Sequence, residues 1–235
     1  LRQQDAERIE RTVLQAMENK VWYLRQNRLF ESANDSTVDA SQHLFETCLY
    51  PRKAYVFDQG DPSRLVYLVK RGKVRLTRLT PDGKEVTVAV LGAGDLFGEE
   101  TLFADAPRTT HAVCIEETLL CSAKADDLFA LLSDSPALAL NVAKVLSDKL
   151  LDASATMEDL AYANVPDRIM HLLNRLATEH GVETPGGGIL LNVRLTHADI
   201  ASLIGSTRET VSLELSHLTK AGRIAYDGKH ITLPR

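Results

Sequence analysis

Between Pro51 and Lys124 the apolar residues recur at every second position, and on either side of that stretch they recur at every third and fourth. A period of two puts alternate side chains on opposite faces of a strand, whereas the longer period marks one face of a helix. A chain built this way must carry a sheet-based body flanked by helices. Val66 and Leu68, Val74 and Leu76, and then Val86, Val88 and Val90 alternate with polar residues, as half-buried strands do. Val113, Ile115, Leu119 and Cys121 continue the series. Turn formers separate the segments at Gln59-Gly60-Asp61, Arg71-Gly72, Pro81-Asp82-Gly83 and Gly92-Ala93-Gly94-Asp95. Many short strands at this spacing predict a double-stranded β-helix, the double-sheet jelly roll.

Residues 1–30 read as a helix with Ile9, Val13, Met17, Val21 and Leu24 along one face. A turn-rich stretch from Ser32 to Asp39 and a short helix about Ala40–Tyr50 follow. Beyond Lys124 the helical period returns, and Pro136 stands where proline is tolerated, near a helix start. Val142, Leu146, Leu150, Ala153, Met157 and Leu160 then form one apolar seam. Such a seam suits a two-stranded coiled coil, and it also suits a helix laid against its own barrel. Asn164, followed by Val165-Pro166-Asp167, reads as a helix stop and a fresh N-cap with an acidic first turn. A further helix to about His180 and a loop from Gly181 to Gly188 complete this part. The expected class is α+β. The expected domains are a helical extension (1–28), a β-barrel (29–134), a long helix (135–163) and a C-terminal domain (164–235).

The segment from Leu195 to Ile224 carries the sharpest local signal. Thr196 can cap a helix with Asp199 at its third position, while Ile200, Leu203 and Ile204 face a core. Gly205 breaks that helix, and Ser206 is expected to cap a second one with Glu209 at capping-box spacing. Val211, Leu215 and Leu218 supply the buried stripe of the second helix. Two helices joined by a short glycine-containing turn make a helix-turn-helix. The run from Arg223 to Leu233, with Asp227-Gly228 at its tip, reads as a hairpin wing. Arg208 and Glu209 open the second helix, where arginine can pair with guanine and glutamate can accept from the cytosine amino group. Ser206, Thr207 and Thr210 can hydrogen-bond phosphates and fix register.

Composition narrows the remaining classes. The chain of 235 residues can bury two cores, and no apolar run approaches the ~20 residues of a membrane-spanning helix. Asp5, Glu7 and Glu10 near the start do not fit a signal peptide, so a cytoplasmic protein without membrane partners is expected. Three scattered cysteines build neither a disulfide framework nor a zinc site. Net charge is −5, and residues 165–235 hold 8 Lys and Arg against 7 Asp and Glu, so motif rather than charge carries the case for DNA. Glu99 and Glu100 are adjacent carboxylates near Arg108, but neighbours on an extended strand point to opposite faces and cannot flank one substrate bond. With no nucleophile–base pair in view, no catalytic residue is assigned and a non-enzyme is expected.

Three motifs in order and spacing give the chain from about Leu29 a resemblance to the cyclic-AMP receptor protein/FNR superfamily of bacterial transcription regulators. They are Gln59-Gly60-Asp61, the run from Gly94 to Glu99, and Pro107-Arg108-Thr109-Thr110; the helix start from Thr207 to Val211 completes the match. The resemblance implies that residues 29–134 are a cyclic-nucleotide-binding-like sensor, 135–163 a dimerisation helix and 164–235 a winged helix-turn-helix. It implies a homodimer in the bacterial cytoplasm that reads a palindromic DNA site, acts as an activator with RNA polymerase as a further partner, and takes cyclic AMP or a related cyclic nucleotide as effector. Gly98 to Thr109 would be the phosphate-binding cassette. Arg108 and Thr109 would meet the cyclic phosphate, Glu99 would accept from the ribose 2′-hydroxyl, and Gly98 would let the backbone approach the sugar. The alternative for the same residues is an internal Glu99–Arg108 ion pair in a ligand-independent regulator or architectural DNA binder, its barrel a scaffold.

The chain departs from the family at two places. Cyclic-AMP receptors offer adenine a Thr and then a Ser, the second from the partner subunit; here those positions are Ala153 and Ser154. Loss of the Thr hydroxyl removes a hydrogen bond of about 0.5–1.5 kcal/mol, roughly tenfold in affinity. Many members place a basic residue four positions after the recognition-helix glutamate, where this chain has Leu213. The half-site is expected to follow the family's G-T-G-A type, with altered preference at the base facing Leu213. An FNR-type iron–sulfur cluster would need clustered cysteines near the N-terminus, where only Cys48 lies. His111, on the strand after the cassette, is a conceivable haem ligand, though a lone strand histidine is far more often a surface or packed residue. No metal, haem or cluster is expected, and Cys114 and Cys121 read as small core residues.

Overall fold

A computed structural model of the chain describes residues 23–25, 27–31, 33–104 and 106–234. The helix expected over residues 1–30 lies mostly outside these. Within them, Tyr23–Arg25 are helical and Arg28–Phe30 form a 3-10 turn capped by Asn27. The chain divides into two compact units. One comprises the described residues up to Leu79 together with Val90–Lys149, and the other Thr80–Ala89 with Leu150–Arg235.

In the first unit, α1 (Asp35–Ser41) starts at Asn34, whose side chain accepts from the Thr37 N–H. The helix expected about Ala40–Tyr50 is not found: α1 ends at Ser41, a 3-10 turn covers Gln42–Leu44, and Glu46–Tyr50 is strand β1. The β-branched and aromatic residues Thr47 and Tyr50 suit a strand, and pairing of β1 along β8 overrides the weak local helical spacing. The other strands are β2 (Tyr55–Phe57), β3 (Leu65–Arg71), β4 (Val74–Leu79), β5 (Glu85–Leu91), β6 (Leu96–Phe97), β7 (His111–Cys114) and β8 (Thr118–Lys124). They form two four-stranded sheets in the orders β1-β8-β3-β6 and β2-β7-β4-β5, the jelly roll that the alternation predicts.

Strand β3 shows how the body is layered. Val66 and Leu68 join a core with Leu24, Phe30, Phe45, Leu128, Leu138 and Val142. Tyr67, on the opposite face, stacks on Phe97 with centroids 5.0 Å apart and lies 5.8 Å from Phe57. Tyr23, Leu24 and Leu29 belong to the same core, so the end of the N-terminal segment packs within this unit. In the middle of β5 the alternation is inverted, with Thr87 buried and Val88 44% exposed, while Val90 is again buried.

Helices α2 (Ala125–Asp134) and α3 (Pro136–Tyr162) follow the last strand. The apolar seam of α3 has two environments. Leu138 and Val142 are buried and Leu146 packs on the same core, whereas Leu150, Met157 and Leu160 are exposed. Among the described residues no single helix is long and apolar enough to cross a membrane.

The second unit contains α4 (Val165–His180), β9 (Gly181–Glu183), β10 (Ile189–Leu191), α5 (His197–Leu203), α6 (Arg208–Lys220), β11 (Ala225–Asp227) and β12 (His230–Leu233). Asn164 caps α4 by accepting from the Asp167 N–H at 3.0 Å. The segment expected to be a loop at Gly181–Gly188 instead contributes β9 to a four-stranded sheet ordered β11-β12-β10-β9. Ile169, Leu173, Ile200, Val211, Leu215, Leu191 and Ile224 fill the core between helices and sheet.

Candidate sensor site and nucleic-acid interface

The three sensor motifs converge in the first unit. The Arg108 N–H donates to Asp61 O at 2.9 Å, and the Gly60 N–H donates to Arg108 O at 2.8 Å, so the turn at Gln59-Gly60-Asp61 grips the arginine by its backbone. Gly98 follows β6 with φ +75, a conformation that side chains disfavour. A Cβ there would also stand 2.6 Å from Arg108 Nη1, so the glycine makes room for the guanidinium.

The Arg108 side chain is almost wholly buried. Its Nη1 donates to Gly98 O at 3.2 Å and to Glu100 Oε1 at 3.0 Å, and its Nη2 donates to Leu65 O. The guanidinium carbon sits 4.2 Å from the Phe57 ring centroid and 5.8 Å from that of Tyr67. Stacking of this kind suits the weakly hydrated, planar guanidinium. Only Nε is buried without a hydrogen-bond partner. Thr109 is exposed, and its carbonyl accepts from Arg78 Nε at 3.2 Å.

Glu99 and Glu100 do not lie on an extended strand. They open a 3-10 turn, Glu99–Leu102, and so take different partners. The expected alternative pair, Glu99 with Arg108, is replaced by Glu100 with Arg108, while Glu99 Oε1 accepts from Lys149 Nζ at 2.6 Å. Lys149 also donates to Leu96 O at 2.9 Å. Sequence reasoning missed it, because on α3 it looks like one more solvated lysine; its position one turn before Ala153 was the available signal.

The cluster brings together a buried cation whose Nε has no hydrogen-bond partner, a glycine that makes room beside it, and a carboxylate held by Lys149. Both terminal nitrogens of Arg108 are, however, already held by protein acceptors. Ser154 lies in the second unit and is exposed, its hydroxyl donating to Leu150 O at 2.9 Å. His111 Nδ1 lies 2.9 Å from Asp58 Oδ1, and the ring packs edge-on against Tyr55. Cys114 and Cys121 are buried, and Cys48 is exposed. Burial pushes the Cys114 thiol up to about 11.

The reading element is in the second unit. Thr196 caps α5 in a full capping box: its hydroxyl accepts from the Asp199 N–H, and Asp199 Oδ2 accepts from the Thr196 N–H at 2.9 Å. The next cap falls one residue later than expected. Thr207, not Ser206, caps α6, accepting from the Thr210 N–H at 3.2 Å, and Glu209 closes no capping box. The reason is the Gly205 turn. With φ +61 at Gly205, the Ser206 N–H returns to Ala201 O at 2.8 Å, which keeps Ser206 in the turn.

Ser206 and Thr210 are half-buried, whereas Thr207, Arg208, Glu209 and Leu213 are exposed, Leu213 by 56%. Among the described residues the Arg208 and Glu209 side chains have no hydrogen-bond or ion-pair partner, and Thr207 and Thr210 share a hydroxyl contact of 2.9 Å. The wing is β11 and β12, with Asp227 opposite His230 so that Gly228 and Lys229 form its tip, one residue beyond the expected turn.

The chain matches the Cyclic nucleotide-binding domain family over residues 48–135 and the Crp-like helix-turn-helix domain family over residues 167–235. It is 31% identical to the CRP-like cAMP-activated global transcriptional regulator of Mycobacterium tuberculosis, over 87% of this chain and 91% of that one. The chain belongs to the cyclic-AMP receptor protein/FNR superfamily. A second relative is the cyclic AMP receptor protein of Thermus thermophilus, 36% identical over 83% of this chain and 86% of its own. Among solved structures, the c-di-GMP responsive global regulator CLP of Xanthomonas campestris matches with a TM-score of 0.71 at 25% identity, covering 86% of this chain and all of that one. Within the superfamily this is a transcription regulator with a cyclic-nucleotide-binding domain and a DNA-binding helix-turn-helix, and its relatives are regulators rather than enzymes.

Proposed function

We propose that the protein is a homodimeric regulator, working in the bacterial cytoplasm, that binds a cyclic nucleotide, cyclic AMP by preference, and then reads a palindromic DNA site. The domain partition follows as stated: extension 1–28, sensor 29–134, dimerisation helix 135–163 and winged helix-turn-helix 164–235. The observation that carries this reading is the convergence of the three motifs on Arg108. Gly98, Glu99, Arg108 and Thr109 would hold the sugar and phosphate, and Ser154 of the partner subunit the base. The ligand supplies an anionic phosphate and a 2′-hydroxyl. Arg108 offers its cation to the former, while Lys149 holds Glu99 in place as acceptor for the latter. Exposed Leu150, Met157 and Leu160 give α3 an apolar face for a second copy.

On DNA, Arg208 and Glu209 are unencumbered donors and acceptors for base edges. Thr207, Thr210 and Ser206 would fix phosphates, and Leu213 would touch a thymine methyl. The relatives support cyclic AMP as the effector, since the names of two carry it. The activator role, with RNA polymerase as a further partner, rests on the family alone. The deciding experiment is calorimetric titration of the purified protein with cyclic AMP, cyclic GMP and c-di-GMP, followed by DNA binding with and without each. Saturable binding of cyclic AMP that tightens DNA binding is the expected result.

One observation favours a second reading. Arg108 is electrically balanced by Glu100 and stacked on Phe57, so the barrel can fold and hold its shape around internal partners alone. A regulator that binds its palindrome equally with and without any cyclic nucleotide would establish this ligand-independent form.

A further inference from the structure

The second unit contains a cleft of about 130 Å³ between the last turns of α3, the first turns of α4 and the end of α5. Its walls are tied together. Asp159 Oδ1 lies 2.7 Å from His171 Nδ1, and Arg175 Nη1 donates to Thr156 Oγ1 at 3.2 Å. Arg168 reaches furthest: its Nη1 donates to Ile204 O at 2.8 Å and to Gly205 O at 3.5 Å. Those carbonyls belong to the turn that joins the two helices of the helix-turn-helix. The end of a helix leaves such acceptors without intrahelical donors, and a cation there is doubly suited.

Leu160 completes the arrangement from α3. A Cβ built on Gly205 would stand 2.7 Å from Leu160 Cδ2, so the turn seats on the long helix because position 205 carries no side chain. The recognition helix begins at Arg208, and whatever holds residues 204 and 205 holds its N-terminal end.

We propose that Arg168 and Leu160 are positioning residues for DNA recognition, a latch that sets the angle between the long helix and the recognition helix. Neither side chain reads a base. In a dimer built along α3 this angle fixes the distance between the two recognition helices, so the latch determines which half-site spacing is accepted. The inference about spacing rests on the dimer reading; the latch itself does not.

The test uses the full chain and palindromes whose central spacer is shortened or lengthened by one base pair. The unaltered protein is expected to lose at least ~10-fold in affinity for either spacing error, because the half-sites leave the facing groove geometry. Arg168→Ala is expected to bind the best palindrome more weakly and to lose less than ~3-fold on the altered spacers, with the sequence preference inside each half-site unchanged. Arg168→Lys, which keeps a cationic donor group, should fall between them. A variant that retains the full spacing penalty overturns the proposal, and so does one that loses half-site sequence preference at the same time.

A second measurement is independent of DNA and of dimerisation. Spin labels are placed at Leu151→Cys on α3 and Ser216→Cys on α6 in a Cys48→Ser background, diluted with unlabelled protein so that only distances within one chain are read. One narrow distribution is expected for the unaltered latch and a broadened one for Arg168→Ala. Equal widths overturn the latch. A narrow distribution that Arg168→Ala broadens, in a protein indifferent to spacer length, would sustain the latch and refute the dimer.

Discussion

Lys149 on the long helix holds the Glu99 carboxylate at 2.6 Å, tying the sensor cassette to α3 by an ion pair in which the glutamate side chain is only 15% exposed. A carboxylate so paired is held in one orientation, which is what an acceptor for a ribose hydroxyl requires. Lys149→Ala should therefore weaken cyclic-AMP binding roughly 3- to 10-fold, the scale of one charge-assisted hydrogen bond shared with solvent. The same substitution should leave 2′-deoxy cyclic AMP binding unchanged. Calorimetry with both ligands checks it, and equal losses would place Lys149 outside the sugar site.

Glu100 competes for the cation that the phosphate would use. Glu100→Gln should raise cyclic-nucleotide affinity several-fold, because it removes an anion 3.0 Å from Arg108 Nη1. Arg108→Ala should abolish binding and also lower the melting temperature, since it strips the cation from Phe57 and removes the donor from three acceptors. Titration and thermal melting on the two variants separate these effects; a Glu100→Gln protein with weaker binding would contradict the competition.

The dimer face is testable on α3. Replacing Leu150 and Met157 together with glutamate should give monomers that melt close to the unaltered protein, because both side chains are more than 60% exposed. Leu146→Glu should behave differently and destabilise the fold by about 2–5 kcal/mol, since this leucine packs on the core of its own unit. Sedimentation velocity with thermal melting distinguishes them, and a Leu150/Met157 variant that still sediments as a dimer would place the interface elsewhere.

Base reading should reside in the first turns of α6. Arg208→Ala is expected to cost ~1–3 kcal/mol on the preferred palindrome and to flatten discrimination at one guanine. Leu213→Arg should tighten binding and add a preference for guanine further along the half-site. Selection of sites from random DNA with all three proteins reads both effects. Identical preferences across the three would mean that the helix does not read bases.

Alkaline pH should destabilise the first unit. Burial raises the Cys114 thiol to about 11 and the Tyr50 hydroxyl to about 12, and it raises Tyr23 as well. Above the ordinary thiol range the unfolded chain has lost protons that the folded chain keeps, so stability falls as pH rises. The loss begins near pH 9 for the cysteine, one unit higher for the tyrosines, and runs to pH 11–12. Urea unfolding from pH 7 to 11 measures it. In the native protein near neutral pH a thiol reagent should modify Cys48 alone, because Cys114 and Cys121 are buried.

The jelly roll was legible because alternation is a direct record of a sheet with unlike faces, and the helix-turn-helix because Thr196, Asp199 and Gly205 each do a local job visible in the residues themselves. Three details were not local. Strand Glu46–Tyr50 is set by pairing along β8, at residues more than sixty positions away. The cap at Thr207 depends on where the Ser206 N–H is drawn by Ala201. The partners of Glu99 and Glu100 were misassigned because the 3-10 turn after Gly98 sends adjacent carboxylates to two different cations, a geometry that strand reasoning does not contain. The seam on α3 was legible as apolar but not as divided, since nothing in its spacing distinguishes Val142, covered by its own core, from Met157, left bare.

The inward-turned Arg108 has an evolutionary consequence. Its guanidinium bridges the carbonyls of Leu65 and Gly98, balances Glu100 and covers Phe57, so losing it harms folding whether or not a nucleotide ever arrives. Selection for a stable barrel would by itself retain this arginine in descendants that had exchanged one effector for another, or dispensed with effectors. Effector preference can then drift through other positions, while this arginine stays in place as part of the architecture.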